Sequence, residues 1–334
     1  MVIKKSKVSR IAIVGFGSAG RKHFKVLKKL RPNIKIILIR SGIGKKYKEE
    51  KLAEYIFNNF QDVNLKIDGA IISSPAPYHL KQAKKFIEKK IPVLIEKPLS
   101  NNFNKINKFK SLCKKYNATV LVGYVLRYSK SLNFFREMIN KKKIGKIILV
   151  KINCHSYLPD WRPNIDYTKS LSARSELGGG VLLELSHELD YSNWIFGPFK
   201  MLHSKIINSG KLNINVEDEA KLKLISKNDV QVFMNLNFNT KKIIRTCEII
   251  ASEGNLIWDG IKNNVKFKDK SRKIKNWKFK NKKDILFKEQ ITHFIECIEK
   301  KIKPKVSLSD GINALNIALK AKVSSKKKKN INIF

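Results

Sequence analysis

Acidic residues are scarce in this chain of 334 residues. It carries 27 Asp and Glu against 70 Lys and Arg, a formal net charge of +43 at pH 7. Cysteine is scarcer. Cys113, Cys154, Cys247 and Cys297 stand far apart, which excludes a CxxC redox pair and zinc-ligand spacing, and no metal site is expected. Four idle thiols in a reducing cytosol are the default. Sixteen glycines and nine prolines are too few for a collagen-like or low-complexity chain, and 43% apolar residues exclude a wholly disordered one. No apolar run approaches the roughly 18–20 residues of a membrane span. The basic start MVIKKSKVSR leads into a short apolar run and then GFGSAG, which reads as strand and turn, not as a signal peptide. The chain reads as soluble and cytoplasmic, with no membrane partner.

The excess of positive charge points at first to a polyanion partner. Its kind argues otherwise. Only ten of the basic residues are arginine, the side chain whose planar fork suits nucleic acid, and the lysines are scattered rather than gathered into blocks. Lys alongside much Ile and Asn fits a bias toward AT-rich codons, with Lys filling solvated faces. No nucleic-acid partner is expected.

What is present is a strong alternation. Arg10–Val14, Ile34–Ile39, Asp68–Ile72, Pro92–Ile95 and Thr119–Val122 read as strands, separated by helices over Ala19–Leu30, Lys45–Phe60, Tyr78–Lys89 and Phe103–Tyr116. Near-continuous apolar strands alternating with helices predict βαβ units and a parallel sheet buried on both faces. The pattern changes after Gly123. A helix over Leu126–Ile139 is followed by longer strands that alternate apolar with polar, a loop at Tyr157–Leu177, a helix over Val181–Trp194, and closing helices over Phe287–Lys300 and Ser309–Lys322. The predicted fold class is α/β. A doubly wound parallel sheet of the Rossmann kind is expected in residues 1–123. A second domain, α+β in class, is expected in residues 124–334, its sheet keeping one solvated or partner-covered face. Lys326–Lys329 reads as a frayed, solvated end.

The motifs sit at the ends of these strands. Gly15-Phe16-Gly17-Ser18-Ala19-Gly20 follows the first strand and opens a helix, the context that a GxGxxG requires. Gly15 permits the turn, Gly17 lets backbone approach a pyrophosphate, and Gly20 lets helix and strand pack closely. Twenty residues after Gly20 stands Arg40, followed by Ser41, with no carboxylate nearby in sequence. An acid there bonds a ribose 2′-hydroxyl and an Arg accommodates a 2′-phosphate, so NADP is favoured and NAD is second. Ser73, Ser74, Pro75 and His79 follow the third expected strand, and Glu96 and Lys97 the fourth, at the edge where such sheets bind ligands. A Gly triplet, Gly178–Gly180, precedes a helix on which Glu184, His187 and Asp190 recur every three residues and are expected to share one face. Three glycines suit close backbone approach to a ligand or to the other domain. An imidazole between carboxylates can take a proton.

GFGSAG, SSPAPYH, EKP and GGG followed by His-x-x-Asp, in this order, resemble the Gfo/Idh/MocA oxidoreductase family over nearly the whole chain. The loop with Asp160, Trp161, Arg162, Asp166 and Tyr167 is similar to a branch associated with bacterial surface-sugar biosynthesis. The resemblance implies hydride transfer between a nicotinamide and a hydroxyl-bearing carbon of a sugar or nucleotide-sugar. It implies a second domain with a large, mostly antiparallel open sheet that binds substrate and oligomerises, Lys97 and His187 as the catalytic pair, and a homodimer or homotetramer formed through that sheet. Glu184 departs from the family, in which many members carry an acid four residues before the His and not three. Arg127, Trp161, Arg162, Tyr167 and Glu184 join Lys97 and His187 as candidate substrate-binding residues. A non-catalytic dinucleotide sensor on the same fold is the alternative.

Overall fold

A computed structural model describes residues 7–43, 45–280 and 284–333. They divide into two compact units, residues 7–125 with 284–312 and residues 126–280 with 313–333.

The first unit runs β1 (Arg10–Val14), α1 (Ser18–Leu30), β2 (Lys35–Ile39), β3 (Tyr55–Phe57), β4 (Gly69–Ile72), α2 (His79–Ile87), β5 (Val93–Ile95), α3 (Ile106–Lys115) and β6 (Val120–Val122). Its six strands are all parallel, in the order β3-β2-β1-β4-β5-β6. Ile11–Val14, Ile36–Ile39 and Ala70–Ile72 are buried throughout, which is why these strands read as unbroken apolar runs. The order reverses between β1 and β4, and a doubly wound sheet opens its ligand crevice at such a reversal.

The segment expected as a helix over Lys45–Phe60 is different. It holds a 3-10 turn at Lys48–Leu52 and then β3, an added edge strand. The β-prone residues Tyr55, Ile56 and Phe57 pair in parallel with Ile37–Ile39, and that pairing outweighs weak helical periodicity. The Tyr47 N–H donates to the Glu50 carboxylate at 2.6 Å and so closes the turn before it.

The second unit contains α4 (Lys130–Asn140), β7 (Ile147–Tyr157), α5 (Val181–Glu184), α6 (Ser186–Phe196), β8 (Phe199–Ile207), β9 (Glu219–Ser226), β10 (Gln231–Asn237), β11 (Asn239–Ala251), β12 (Gly254–Asp259), β13 (Asn264–Asp269) and β14 (Ile274–Lys278). With β15 (Ile331–Asn332) these form a nine-stranded sheet, β14-β13-β12-β11-β7-β10-β9-β8-β15, parallel only between β7 and β10. Val150, Ile152, Leu222, Leu224, Val232 and Met234 fill its covered face. The alternate residues Lys151, Lys221, Lys223 and Phe233 are exposed.

Two expectations about the C-terminal part change. Helix α7 (Ile285–Lys300) packs in the first unit, where Ile291, Phe294, Ile295 and Ile298 join the core with Phe24 and Leu27 of α1. The contacts therefore do not divide as a single stretch of 124–334. Helix α8 (Leu308–Lys327) runs into the tail expected to fray, and the chain then returns as β15 on β8. The Ser324 hydroxyl donates to the Lys329 carbonyl at 2.7 Å and ties that tail down.

Candidate active site

The three motif glycines in the first unit do three different things. Gly15 has φ +84°, and a Cβ there would stand 2.7 Å from the Ser74 amide nitrogen, so only glycine lets the β1 turn pass the end of β4. A Cβ on Gly20 would strike the Gly15 carbonyl, so α1 can start this close to the turn only without a side chain. Gly17 has nothing within 4 Å of where a Cβ would stand. It caps α1 without a side-chain hydrogen bond, and Gly17 and Ser18 are exposed. An uncapped helix start with open space beside it has the donors and the positive dipole end that fit the phosphates of a dinucleotide.

Several residues expected to touch cofactor are buried in protein contacts. The Phe16 ring is 4% exposed and packs edge-on to Phe24 and Tyr47. The Ser73 hydroxyl donates toward the carbonyls of Val14 at 3.1 Å and Gly15 at 2.8 Å and pins the β1 turn, while the Ser74 hydroxyl donates to Gln82 at 2.5 Å. Pro75 caps the 3-10 turn at Ala76–Tyr78. The His79 ring nitrogens lie 2.9 Å from the Pro98 carbonyl and 2.7 Å from the Ser74 carbonyl, so this imidazole ties the loop after β4 to the turn after β5. Burial pushes its pKa down, against the pull of those carbonyls.

Glu96 is also inside. Its Oε1 lies 2.6 Å from His23 Nε2 on α1, and its Oε2 accepts from the Lys97 backbone N–H at 3.1 Å. Burial works to raise the carboxyl's pKa, but the His23 hydrogen bond and charge outweigh it and hold it below the ordinary range. The consequence is mechanical. The helix that begins at Gly17 is tied directly to the backbone of Lys97, which is half-buried at the end of β5. His23 was legible in principle, because Gly20, His23, Phe24 and Leu27 recur on the buried side of α1.

The end of β2 carries a carboxylate after all. The Arg40 guanidinium donates through Nη1 to Glu50 Oε1 at 2.5 Å and through Nη2 to the Lys45 carbonyl at 2.8 Å. Beside it, Arg21 donates to Glu49 at 2.8 Å and lies 4.0 Å from the Tyr47 ring centroid, and Lys25 also reaches Glu49. The hydrogen bonds from Arg21 and Lys25 hold the Glu49 carboxyl down at about 2. Ser41 is exposed, and its hydroxyl accepts from the Ile43 N–H at 3.3 Å. Glu50 stands ten residues beyond Arg40, in the segment expected as helix, so spacing carries no signal for it.

The Gly triplet in the second unit is explained by its own backbone. A Cβ on Gly179 would meet the carbonyls of Leu171 and Ser172 at 2.6 Å, and one on Gly180, at φ +105°, would meet the Glu217 carboxylate at 2.5 Å. These glycines serve close packing within the unit. The helix that follows is interrupted at Leu185, between α5 and α6, so one helical register does not run from Glu184 through His187 and Asp190. Asp190 and Arg127 form a bidentate pair at 2.7 and 2.8 Å, with both side chains at 2% exposure or less. Arg127 lies over the Trp194 ring at 4.6 Å, with Arg136 at 4.3 Å from the same ring. The Arg127 guanidinium, expected at the substrate, is thus bound to a carboxylate within this unit. Glu184 and His187 are half-buried.

The loop over Tyr157–Leu177 folds as four short 3-10 turns. Trp161 sits edge-on to Phe238 at 5.9 Å, and the Tyr167 hydroxyl accepts from the Asn213 N–H at 3.3 Å. Arg162 is half-buried between them in sequence. Among the described residues no helix is long and apolar enough to cross a membrane.

Residues 9–124 match the family model of the Gfo/Idh/MocA oxidoreductases with an NAD-binding Rossmann fold, and residues 133–257 match that family's C-terminal domain. The chain is 25% identical to the oxidoreductase sll0816 of Synechocystis sp. over 70% of its own length and 66% of that protein's. It is 21% identical to the myo-inositol 2-dehydrogenase of Thermotoga maritima over 97% of this chain and 98% of that one. The WlbA dehydrogenase of Bordetella pertussis, solved with NADH and UDP-GlcNAcA, has the same fold, with a TM-score of 0.82, 17% identity, and coverage of 98% of each chain.

Proposed function

The chain belongs to the Gfo/Idh/MocA oxidoreductases, and from that premise we propose that it is an NAD(P)-dependent dehydrogenase or reductase acting on a hydroxyl-bearing carbon of a sugar or nucleotide-sugar. The observation that carries this reading is the crevice of the first unit, where the uncapped start of α1 at Gly17 and Lys97 lie at the carboxyl ends of β1 and β5. A nicotinamide dinucleotide bound there would supply the hydride chemistry. The backbone of Gly15–Gly20 holds the pyrophosphate, and Arg40 and Ser41 favour NADP(H) over NAD(H).

Oxidation of an alcohol needs one group to take the hydroxyl proton as hydride leaves the same carbon. His187 takes it, since imidazole exchanges protons near neutral pH. The Lys97 ammonium donates to the oxygen as it gains negative charge, and a donor already in place stabilises that charge most. In the competing assignment Lys97 takes the proton and His187 only orients the sugar. Trp161, Arg162, Tyr167 and Glu184 line the sugar site, with Arg162 holding an anionic group such as a carboxylate or diphosphate. The UDP-GlcNAcA in the WlbA structure and the inositol relative support a polyol or nucleotide-sugar. The protein works in the cytoplasm as a homodimer or homotetramer, its open sheet face of Lys151, Lys223 and Phe233 covered by a second copy. Light scattering that shows a monomer at micromolar concentration would count against that assembly.

The direct test is to incubate purified protein with NADP+ or NAD+ and panels of sugars and nucleotide-sugars, and to follow nicotinamide absorbance. Reduction with at least one of them is expected. Failure to bind either dinucleotide refutes the reading. Tight binding without turnover on any substrate favours the non-catalytic sensor instead.

A further inference from the structure

The arginine on which the NADP(H) preference rests already has a counter-ion. Arg40 Nη1 and Glu50 Oε1 are 2.5 Å apart, and the two side chains are only 12% and 10% exposed, so little water screens the pair. The same Glu50 oxygen also accepts from the Tyr47 N–H at 2.6 Å. Tyr47 in turn packs on Phe16 of the glycine motif and under Arg21 of α1. The carboxylate is therefore built into the site. Its neighbour Glu49 is matched by two cations, Arg21 and Lys25, at 2.8 Å each.

We infer that Glu50 is a specificity-determining residue for the dinucleotide: as the counter-ion of Arg40 it weakens binding of a ribose 2′-phosphate and keeps NAD(H) within the protein's range. The inference rests on the proposed dinucleotide site. A guanidinium has five N–H donors in a fixed fork, and here one goes to Glu50 and one to the Lys45 carbonyl. A 2′-phosphate can still take donors from the remaining edge. It must then share the cation with a fixed carboxylate a few ångströms away, and like charges at that range repel. A ribose that carries only hydroxyls meets no such repulsion, and a carboxylate beside it can accept from a hydroxyl. The acid usually found at the end of the second strand thus arrives from a different segment, the 3-10 turn at Lys48–Leu52.

The experiment titrates NADPH and NADH separately into the full-length wild type and Glu50→Gln, following nicotinamide fluorescence or heat. Gln keeps an oxygen for the Tyr47 N–H and removes the charge. The expected result is an NADPH Kd lower by about tenfold, the effect of removing one weakly screened charge, with the NADH Kd equal or higher. An unchanged or higher NADPH Kd in folded Glu50→Gln overturns the inference and makes Glu50 a residue that merely steadies Arg40. If Glu50→Gln does not fold, Arg40→Gln is compared with the double variant Arg40→Gln, Glu50→Gln. The double variant should bind NADPH more tightly than the single, and equal affinities overturn the inference. A wild type that binds neither dinucleotide defeats the proposed function itself, a result distinct from either of these.

Discussion

Replacing His23 by Leu removes the side-chain partner of a carboxylate that is nearly closed off from water. Glu96 is 7% exposed, His23 is fully buried, and their contact is 2.6 Å. Stranding one member of such a pair costs about 3–5 kcal/mol, whereas replacing both members by apolar side chains of similar volume is often close to neutral. The first unit has the size of a domain in which 1 kcal/mol moves Tm by about 2–4 °C, so His23→Leu should lower its Tm by roughly 6–20 °C. The double variant His23→Leu, Glu96→Met should recover most of that loss. Tryptophan emission is the wrong probe, since Trp161, Trp194, Trp258 and Trp277 all lie in the second unit. Far-UV circular dichroism with hydrogen exchange at the α1 and β5 amides reads the first. The pH dependence has a definite sign. His23 holds the folded-state pKa of Glu96 below the ordinary carboxylate range, so the pair's stabilisation is present above that range and is lost as pH falls through the lower, folded value. In the variant, burial is opposed only by the Lys97 N–H and charge, and the carboxyl takes up a proton more readily. The gap between wild type and His23→Leu should therefore be widest near neutral pH and narrow in acid. A loss under about 1 kcal/mol, or a double variant no more stable than the single, would refute the reasoning.

Arg40→Asp should weaken NADPH binding by on the order of 10²-fold, the worth of a lost charge-assisted contact plus added repulsion, and NADH binding far less; tighter NADH than NADPH binding by the wild type would contradict the role given to Arg40. His187→Ala and Lys97→Ala should each keep NADPH affinity and lose about 10²–10⁴-fold in turnover, with His187→Ala also flattening the acidic limb of the pH–rate profile. Wild-type turnover in His187→Ala would remove it from the mechanism. Asp190→Ala should cost the second unit about 3–5 kcal/mol by leaving Arg127 buried without its carboxylate. Urea unfolding followed by tryptophan emission measures this, because Trp194 lies against that arginine.

The architecture was legible because its cause is local. Strands buried on both faces must be apolar throughout, and the helices between them need one apolar stripe, so Arg10–Val14, Ala19–Leu30 and Ile34–Ile39 announced a βαβ unit before any contact was known. The glycine motif was legible for a similar reason: φ +84° at Gly15 and the clash a Cβ would make at Gly20 are demands on single residues. Pairings between segments distant in the chain were not legible. Periodicity over Lys45–Phe60 was too weak to decide between helix and strand, and β3 exists only because β2 offers it an edge. Whether a charged side chain meets ligand or protein was likewise decided by what the fold brought to it. Arg127 found Asp190 across 63 residues, Glu96 found His23 across 73, and Arg40 found Glu50 on a turn that no spacing rule predicts. Burial raises the energy of an unpaired charge, so tertiary packing and not motif position determines which charges are paired within the protein.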